Sequence, residues 1–117
     1  MKRIYIAGPY SADNVMDVLH NIRAGIQASY DVFKAGYAPF CPWLDYHYVL
    51  FDKASRLTIN DFYDYSIAWL RVSDALLVIG DYKTSKGTLA EIDEAGEIGI
   101  PVFYNLSKLL STIDKSD

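Results

Sequence analysis

One segment of the chain, from Ser85 to Glu91, carries residue types that can act on a ligand. It reads Ser-Lys-Gly-Thr-Leu-Ala-Glu and joins an apolar run at 75–80 to a predicted helix at 89–99. The apolar run is typical of a strand buried on both faces, and open α/β sheets bind ligands beyond the carboxyl ends of such strands. Glu91 is therefore predicted to lie in the first turn of a helix, as a carboxylate at the edge of a ligand crevice.

The same segment also has a purely structural interpretation. Thr88 and Glu91 have the spacing of a capping box, in which the two side chains satisfy free N–H groups at the start of a helix. Spacing alone favours this capping box over a carboxylate that acts on a ligand.

A second loop with similar residues follows the first predicted strand, Arg-Ile-Tyr-Ile-Ala, which ends at Gly8 and Pro9. Free N–H groups and the helix dipole attract anions to helix N-termini, so Ser11, Ser85 and Gly87 could together hold a phosphate. The alternative is that Ser11 only caps its helix and Gly87 only permits a turn. The chain has neither the dinucleotide-binding glycine motif nor the P-loop lysine motif.

The elements that must position these loops alternate between strand and helix patterns. Apolar residues at three- and four-residue intervals from Val15 to Phe33 mark one face of a helix over 13–35, with Ser11 or Asp13 as its cap and Gly36 as its end. The other predicted segments are a strand at 37–40, an irregular aromatic stretch at 43–51, a helix at 57–72, a strand at 75–80, a helix at 89–99, a strand at 101–104 and a helix at 106–113.

This alternation predicts a three-layer α/β fold of the Rossmann or flavodoxin-like type. A parallel sheet of about four or five strands would have helices on both faces. At 117 residues, the chain is expected to form a single domain over 1–117.

Composition excludes several classes of partner. The net charge of −4 argues against nucleic acid and anionic membranes as partners, and no apolar run is long enough to cross a membrane. Cys41 is the single cysteine, so no internal disulfide can form and a cytoplasmic location is expected. No zinc-ligand spacing occurs, and we expect neither a metal nor a cofactor.

Three short motifs resemble the nucleoside 2-deoxyribosyltransferase superfamily, which includes nucleoside monophosphate N-glycosidases. They are Ile4-Tyr-Ile-Ala-Gly8, the spacing Gly87-x-x-x-Glu91 followed by Ala95, and Gly99-Ile-Pro-Val102. The similarity is greatest to small members that begin Tyr-Ile-Ala-Gly-Pro-Tyr. It implies cleavage or transfer of the N-glycosidic bond of a (deoxy)nucleoside or a nucleoside 5′-monophosphate.

The resemblance also implies residue roles. Glu91 matches the glutamate nucleophile, Tyr5 the tyrosine that orients it, and Ser85 the hydroxyl residue that binds a 5′-phosphate. A carboxylate can trap the oxocarbenium-like sugar that departure of the base leaves, and the base itself needs a proton. The general-acid aspartate of the family falls on Ser66 here, so Asp64 is the catalytic candidate nearest to that position.

Two further residues are candidates for substrate binding, together with Gly8, Pro9, Ser11, Ser85 and Gly87. Asp81 follows the third predicted strand and could bind a base or a ribose. Trp43 lies beside Pro42 and could stack on a base, although aromatic residues in such a segment are more often core or subunit interface.

Three classes of function remain open from the sequence. An enzyme acting on a nucleoside or nucleotide through Glu91 is favoured. A non-catalytic module of the same fold that binds a nucleotide or sugar-nucleotide is the alternative, and a purely structural protein ranks last. Family members assemble, so the resemblance also implies a homo-oligomer, either a dimer or a tetramer.

Overall fold

The sheet contains four short parallel strands. A computed structural model describes residues 1–52, 54 and 56–116. The strands are β1 (Arg3–Ala7), β2 (Ala38–Phe40), β3 (Ala75–Val78) and β4 (Val102–Phe103), in the spatial order β2-β1-β3-β4. This order matches the start of the flavodoxin-like arrangement, whose ligand crevice opens between β1 and β3.

Helices cover both faces of the sheet. They are α1 (Val15–Lys34), α2 (Tyr46–Phe51), α3 (Ile59–Leu70), α4 (Lys86–Ile98) and α5 (Leu106–Thr112). None of the helices in the described ranges is long and apolar enough to span a bilayer.

Alternation along the strands divides the core into two layers of side chains. Ile4 and Ile6 of β1 pack in one cluster with residues of α1 and α5, whereas Tyr5 and Ala7 pack in a second cluster with residues of α3 and α4. Successive side chains of a strand point to opposite faces, so helices on both sides of the sheet are required to bury them. The predicted three-layer α/β fold is confirmed.

The caps of α1 differ from the predicted ones. The Asn14 side chain accepts a hydrogen bond from the Asp17 backbone N–H, so Asn14 is the cap and the prediction of Ser11 or Asp13 is wrong. Gly36 follows the helix with φ of +101°, which confirms it as the residue at which the chain leaves α1.

The aromatic stretch that the sequence predicts to be irregular is helical. Residues Pro42–Asp45 form a 3₁₀ turn that runs directly into α2. Aromatic and β-branched residues have low intrinsic helix propensity, and α2 has no side-chain cap, so neither of the usual helix signals is present.

The apolar stripe of α1 does not cover the sheet. Five of its side chains are exposed, from 40% at Ile26 to 71% at Val15, whereas Ile22 is partly buried against the core. The fully buried residues of α1 are Gly25, Ser29 and Val32. Gly25 decides this orientation because the Trp43 ring lies against it, where a Cβ would be only 2.1 Å from the ring. The stripe, Val15, Leu19, Ile22, Ile26, Tyr30 and Phe33, is called the α1 stripe below.

This contact predicts opposite effects for two glycine-to-alanine substitutions. Gly25→Ala should destabilise the protein by about 2 kcal/mol, because the added methyl overpacks the Trp43 ring. The cost of this overpacking exceeds the gain in helix propensity from glycine to alanine. Gly96→Ala in α4 meets no atom within 4 Å and should stabilise it by about 0.5–1 kcal/mol. Urea unfolding measures both changes, and a Gly25→Ala variant as stable as the parent would contradict this account of α1.

Candidate active site

Two loops meet where β1 and β3 end, at the point where the strand order reverses. A Cβ on Gly8 would lie 2.7 Å from the Ile79 side chain, and a Cβ on Gly80 would lie 3.2 Å from the Pro9 ring. Gly80 also has φ of +66°, a left-handed conformation that favours glycine. The glycines therefore allow the two loops to approach closely beside the carboxyl ends of both strands.

A hydrogen bond between Tyr5 and Glu91 joins the central strand to α4. The Tyr5 side chain is fully buried on the face of β1 that packs against α3 and α4, and its hydroxyl donates to Glu91 Oε2. The Glu91 side chain is half-buried. The two residues with catalytic roles implied by the resemblance are therefore in direct contact.

Burial changes the protonation of both partners. It raises the pKa of Glu91 to about 7, against the opposing effect of the Tyr5 hydrogen bond. Burial and the nearby Glu91 charge raise the pKa of the Tyr5 phenol far above its usual value. Tyr5 therefore remains a hydrogen-bond donor at every physiological pH, while Glu91 changes charge near neutrality.

The capping-box interpretation of Glu91 is wrong. Ser85 is the cap of α4, because its hydroxyl accepts from the Thr88 backbone N–H at 3.3 Å and lies 2.8 Å from the Thr88 hydroxyl. The helix begins at Lys86, so Glu91 lies in its second turn rather than its first. Its carboxylate is bonded to Tyr5 on a neighbouring element.

The α3 side chain that reaches Tyr5 is Ser66. Its hydroxyl hydrogen-bonds Tyr5 and lowers the tyrosine pKa, although burial and Glu91 outweigh that effect. Asp64 lies two positions earlier, roughly 200° around the helix, and is exposed. The structure thus argues against Asp64 as the general acid, because the rotation of α3 about its axis brings Ser66, and not Asp64, to Tyr5.

Trp43 is also placed differently from its predicted role. The ring is 1% exposed, packs against Gly8 and Gly25, and its indole N–H donates to the Pro9 carbonyl at 2.9 Å. A ring covered on both faces cannot stack on a base, so the prediction of Trp43 as a stacking residue is corrected. Its function in the fold is to hold the loop that follows β1.

The other predicted binding residues lie around the two loops. Gly8, Pro9 and Ser85 are half-buried, whereas Ser11 and Asp81 are exposed. Gly87 is exposed in the first turn of α4, with no atom within 4 Å of the position of a Cβ. The structure leaves space at α4 beside the Ser85 cap.

An aromatic wall extends from Tyr5 to a cavity beside the edge strand β2. Phe40 stacks on Tyr5 with a centroid distance of 5.3 Å, and Trp69 stacks on Phe40 at 5.5 Å. The cavity of about 690 Å³ is bounded by Phe40, by Tyr65 of α3, by the segment that precedes α2 and by three residues of the α1 stripe, Ile26, Tyr30 and Phe33. Among the described residues, no group of three or more histidine, cysteine or acidic side chains could hold a metal ion.

Sequence reasoning missed two neighbours of this site. Tyr10 hydrogen-bonds Asp45, whose carboxyl is half-buried. The available signal was a single acidic residue inside the aromatic and apolar run from Trp43 to Phe51. An acid in such a run needs a partner or a function, because burying a charged group is costly.

Together these features define a doubly wound α/β domain with a half-buried carboxylate and a buried phenol near the edge of the sheet at which such folds bind ligands. Residues 2–105 match the model of a family described as a domain of unknown function, DUF7768, and the chain belongs to that family. No curated protein matches the chain.

A solved structure of similar fold is the 2-deoxyribosyltransferase of the psychrotolerant bacterium Bacillus psychrosaccharolyticus. The TM-score is 0.65 at 14% identity, over 96% of this chain and 92% of that chain. At this identity the similarity establishes a shared fold.

The raised pKa of Glu91 predicts a pH dependence of stability. The folded state binds the proton more tightly than the unfolded state, so the contribution is complete at acidic pH and is lost as pH rises through about 7. Between pH 5 and 8, the free energy of unfolding of the parent should fall relative to Glu91→Gln by on the order of 2 kcal/mol, allowing for partial exposure. Urea unfolding at several pH values measures this.

Glu97→Gln is the matched control for that measurement, because Glu97 is an exposed residue of the same helix. It should retain the pH dependence of the parent. Identical profiles for Glu91→Gln and the parent would show that Glu91 titrates normally.

Proposed function

We propose that this protein cleaves or transfers the N-glycosidic bond of a (deoxy)nucleoside or a nucleoside 5′-monophosphate, with Glu91 as the nucleophile. The observation that carries the proposal is the hydrogen bond from the buried Tyr5 hydroxyl to the Glu91 carboxylate. A capping or surface glutamate would need no such partner.

The chemistry follows from this pair. As the bond between the anomeric carbon and the base breaks, positive charge develops on the sugar, and the Glu91 carboxylate adds to the anomeric carbon to form an ester. Tyr5 fixes the direction of the carboxylate, with Ser66 as a further hydrogen-bonding partner of the phenol. Water or a second base then displaces Glu91, which yields hydrolysis or transfer.

The fold supports the same proposal. The structurally similar enzyme is described as a 2-deoxyribosyltransferase and a biocatalyst for nucleoside synthesis. The substrate we infer is a small nucleoside or nucleotide held at the loops that follow β1 and β3. Gly8, Pro9 and Asp81 would contact its sugar or base, and Ser85, Gly87 and Ser11 its 5′-phosphate.

The α1 stripe supports assembly into a homo-oligomer, as a dimer or a tetramer. Its exposed side chains lie about 100° around α1 from buried Gly25. Three of them, Ile26, Tyr30 and Phe33, border the cavity beside β2 together with the exposed Tyr48 of α2. Monomeric proteins rarely expose contiguous apolar surfaces of this kind, so a second copy of the chain is the partner we propose.

A binding module without turnover is the second candidate. The observation that favours it is Ser66, which occupies the position on α3 from which a carboxylic acid would otherwise reach Tyr5. Such a module would be stabilised by a nucleotide or sugar-nucleotide that is recovered unchanged.

Glu91→Gln should abolish release of free base from a panel of deoxynucleosides, ribonucleosides and their 5′-monophosphates. The loss should be at least about 1,000-fold, because an amide cannot form the ester. Tyr5→Phe should lose less of the rate of base release, since the nucleophile remains and only its orientation is disturbed. Chromatography of the base, with and without an added acceptor base, measures both activities and separates transfer from hydrolysis.

Glu97→Gln is again the control and should keep the parental rate. Full activity in Glu91→Gln would exclude Glu91 as nucleophile. Ligand-dependent thermal stabilisation without base release would favour the binding module.

Light scattering should give the parent a mass of at least twice the 13.2 kDa of one chain. Ile26→Glu places a charge in the centre of the α1 stripe and should dissociate the assembly. Ala24→Glu, also exposed but on the opposite side of α1, should leave the mass unchanged. A monomeric parent, or an Ile26→Glu variant of parental mass, would contradict this interface.

A further inference from the structure

Asp45 is an acid without a structural function in the helix that it precedes. It ends the 3₁₀ turn Pro42–Asp45 and occupies the cap position of α2, yet its carboxylate makes no cap hydrogen bond there. The side chain is half-buried, and the Tyr10 hydroxyl donates to it. Its carboxyl group is thus held against Tyr10, which lies on the loop that follows β1.

Asp45 also lines the cavity beside β2. The walls of this cavity of about 690 Å³ include Phe40, Tyr48 and Tyr65, which are suited to the faces of an aromatic ring. Phe40 links the cavity to the site because it stacks directly on Tyr5. The Tyr5 phenol in turn interacts electrostatically with both Glu91 and Asp45.

From this arrangement, and resting on the function proposed above, we propose that Asp45 is the proton donor to the leaving base. The base would occupy the aromatic cavity, with its sugar directed toward Glu91. This assignment supplies the acid that α3 lacks, since Ser66 cannot donate a proton with the strength of a carboxylic acid and Asp64 is exposed.

The surroundings of Asp45 favour the protonated form of its carboxyl more than water does. Burial raises the pKa of its carboxyl, against the opposing effect of the Tyr10 hydrogen bond. The titratable groups that interact with it are Tyr5, Tyr10, Cys41 and Tyr65, and His47 lines the same cavity. The three tyrosines and the cysteine have raised pKa values and are neutral at pH 7.

The proposed step balances. The Asp45 carboxyl proton passes to a ring nitrogen of the base, the electrons of the glycosidic bond go to the base, and a Glu91 oxygen bonds to the anomeric carbon. In the second half, the Asp45 carboxylate removes a proton from water or from an incoming base, which attacks the anomeric carbon and releases Glu91. Both carboxyl groups return to their starting states.

A pair of substrates with different leaving groups tests this role. The base of 2′-deoxyguanosine needs a proton to leave, whereas that of 7-methyl-2′-deoxyguanosine is already cationic and leaves neutral without one. Asp45→Asn, which conserves size, should slow release from deoxyguanosine by about 100-fold or more. It should change release from the methylated nucleoside by less than about 5-fold. Rates are taken above the uncatalysed background.

Asp93→Asn is the matched control, an acid-to-amide change at an exposed residue of α4, and it should leave both rates unchanged. Equal loss on both substrates in Asp45→Asn, or no loss on either, would overturn the role of Asp45 and leave Glu91 as nucleophile intact. A parent that cleaves neither these nor any other nucleoside would overturn the proposed function and this role with it.

Discussion

The buried hydroxyl of Tyr5 is the constraint on which the site depends. A phenol at the centre of a fully buried strand must find an acceptor, because an unsatisfied polar group there costs about 1–3 kcal/mol. The acceptor is Glu91, and the bond fixes α4 against β1. The interaction therefore sets the position of the helix and the direction of the carboxylate together, so the proposed catalysis and the fold rely on the same contact.

A second constraint, the packing of Trp43, determines which face of α1 meets the sheet. The ring fills the space left by Gly25 and also contacts Gly8, so it fixes the position of α1 relative to the loop after β1. The consequence is that α1 turns Gly25, Ser29 and Val32 inward and most of its large apolar residues outward. A core contact of one tryptophan thus creates the exposed surface to which we assign a second subunit.

The fold could be predicted from the sequence because buried parallel strands and amphipathic helices each have a hydrophobic pattern that is visible within a short stretch of residues. The Tyr5 and Glu91 pair followed from the motifs of the resemblance. The inward face of α1 could not be predicted, since hydrophobicity favours the stripe that in fact is exposed. Nor could α2 or the setting of Asp45, because both depend on tertiary packing around residues whose local propensities oppose a helix.

The two acids of the site come from opposite sides of the point where strand order reverses. Glu91 is carried by α4 after β3, whereas Tyr10 and Asp45 follow β1 and β2. Tyr5 lies on β1 between these halves and interacts with both carboxyl groups. In the proposed mechanism the nucleophile and the acid come from separate elements that can change independently, so an α3 without the acid would still leave acid catalysis possible. Under this proposal Ser66 needs no acidic function, because one acid beside the base is sufficient.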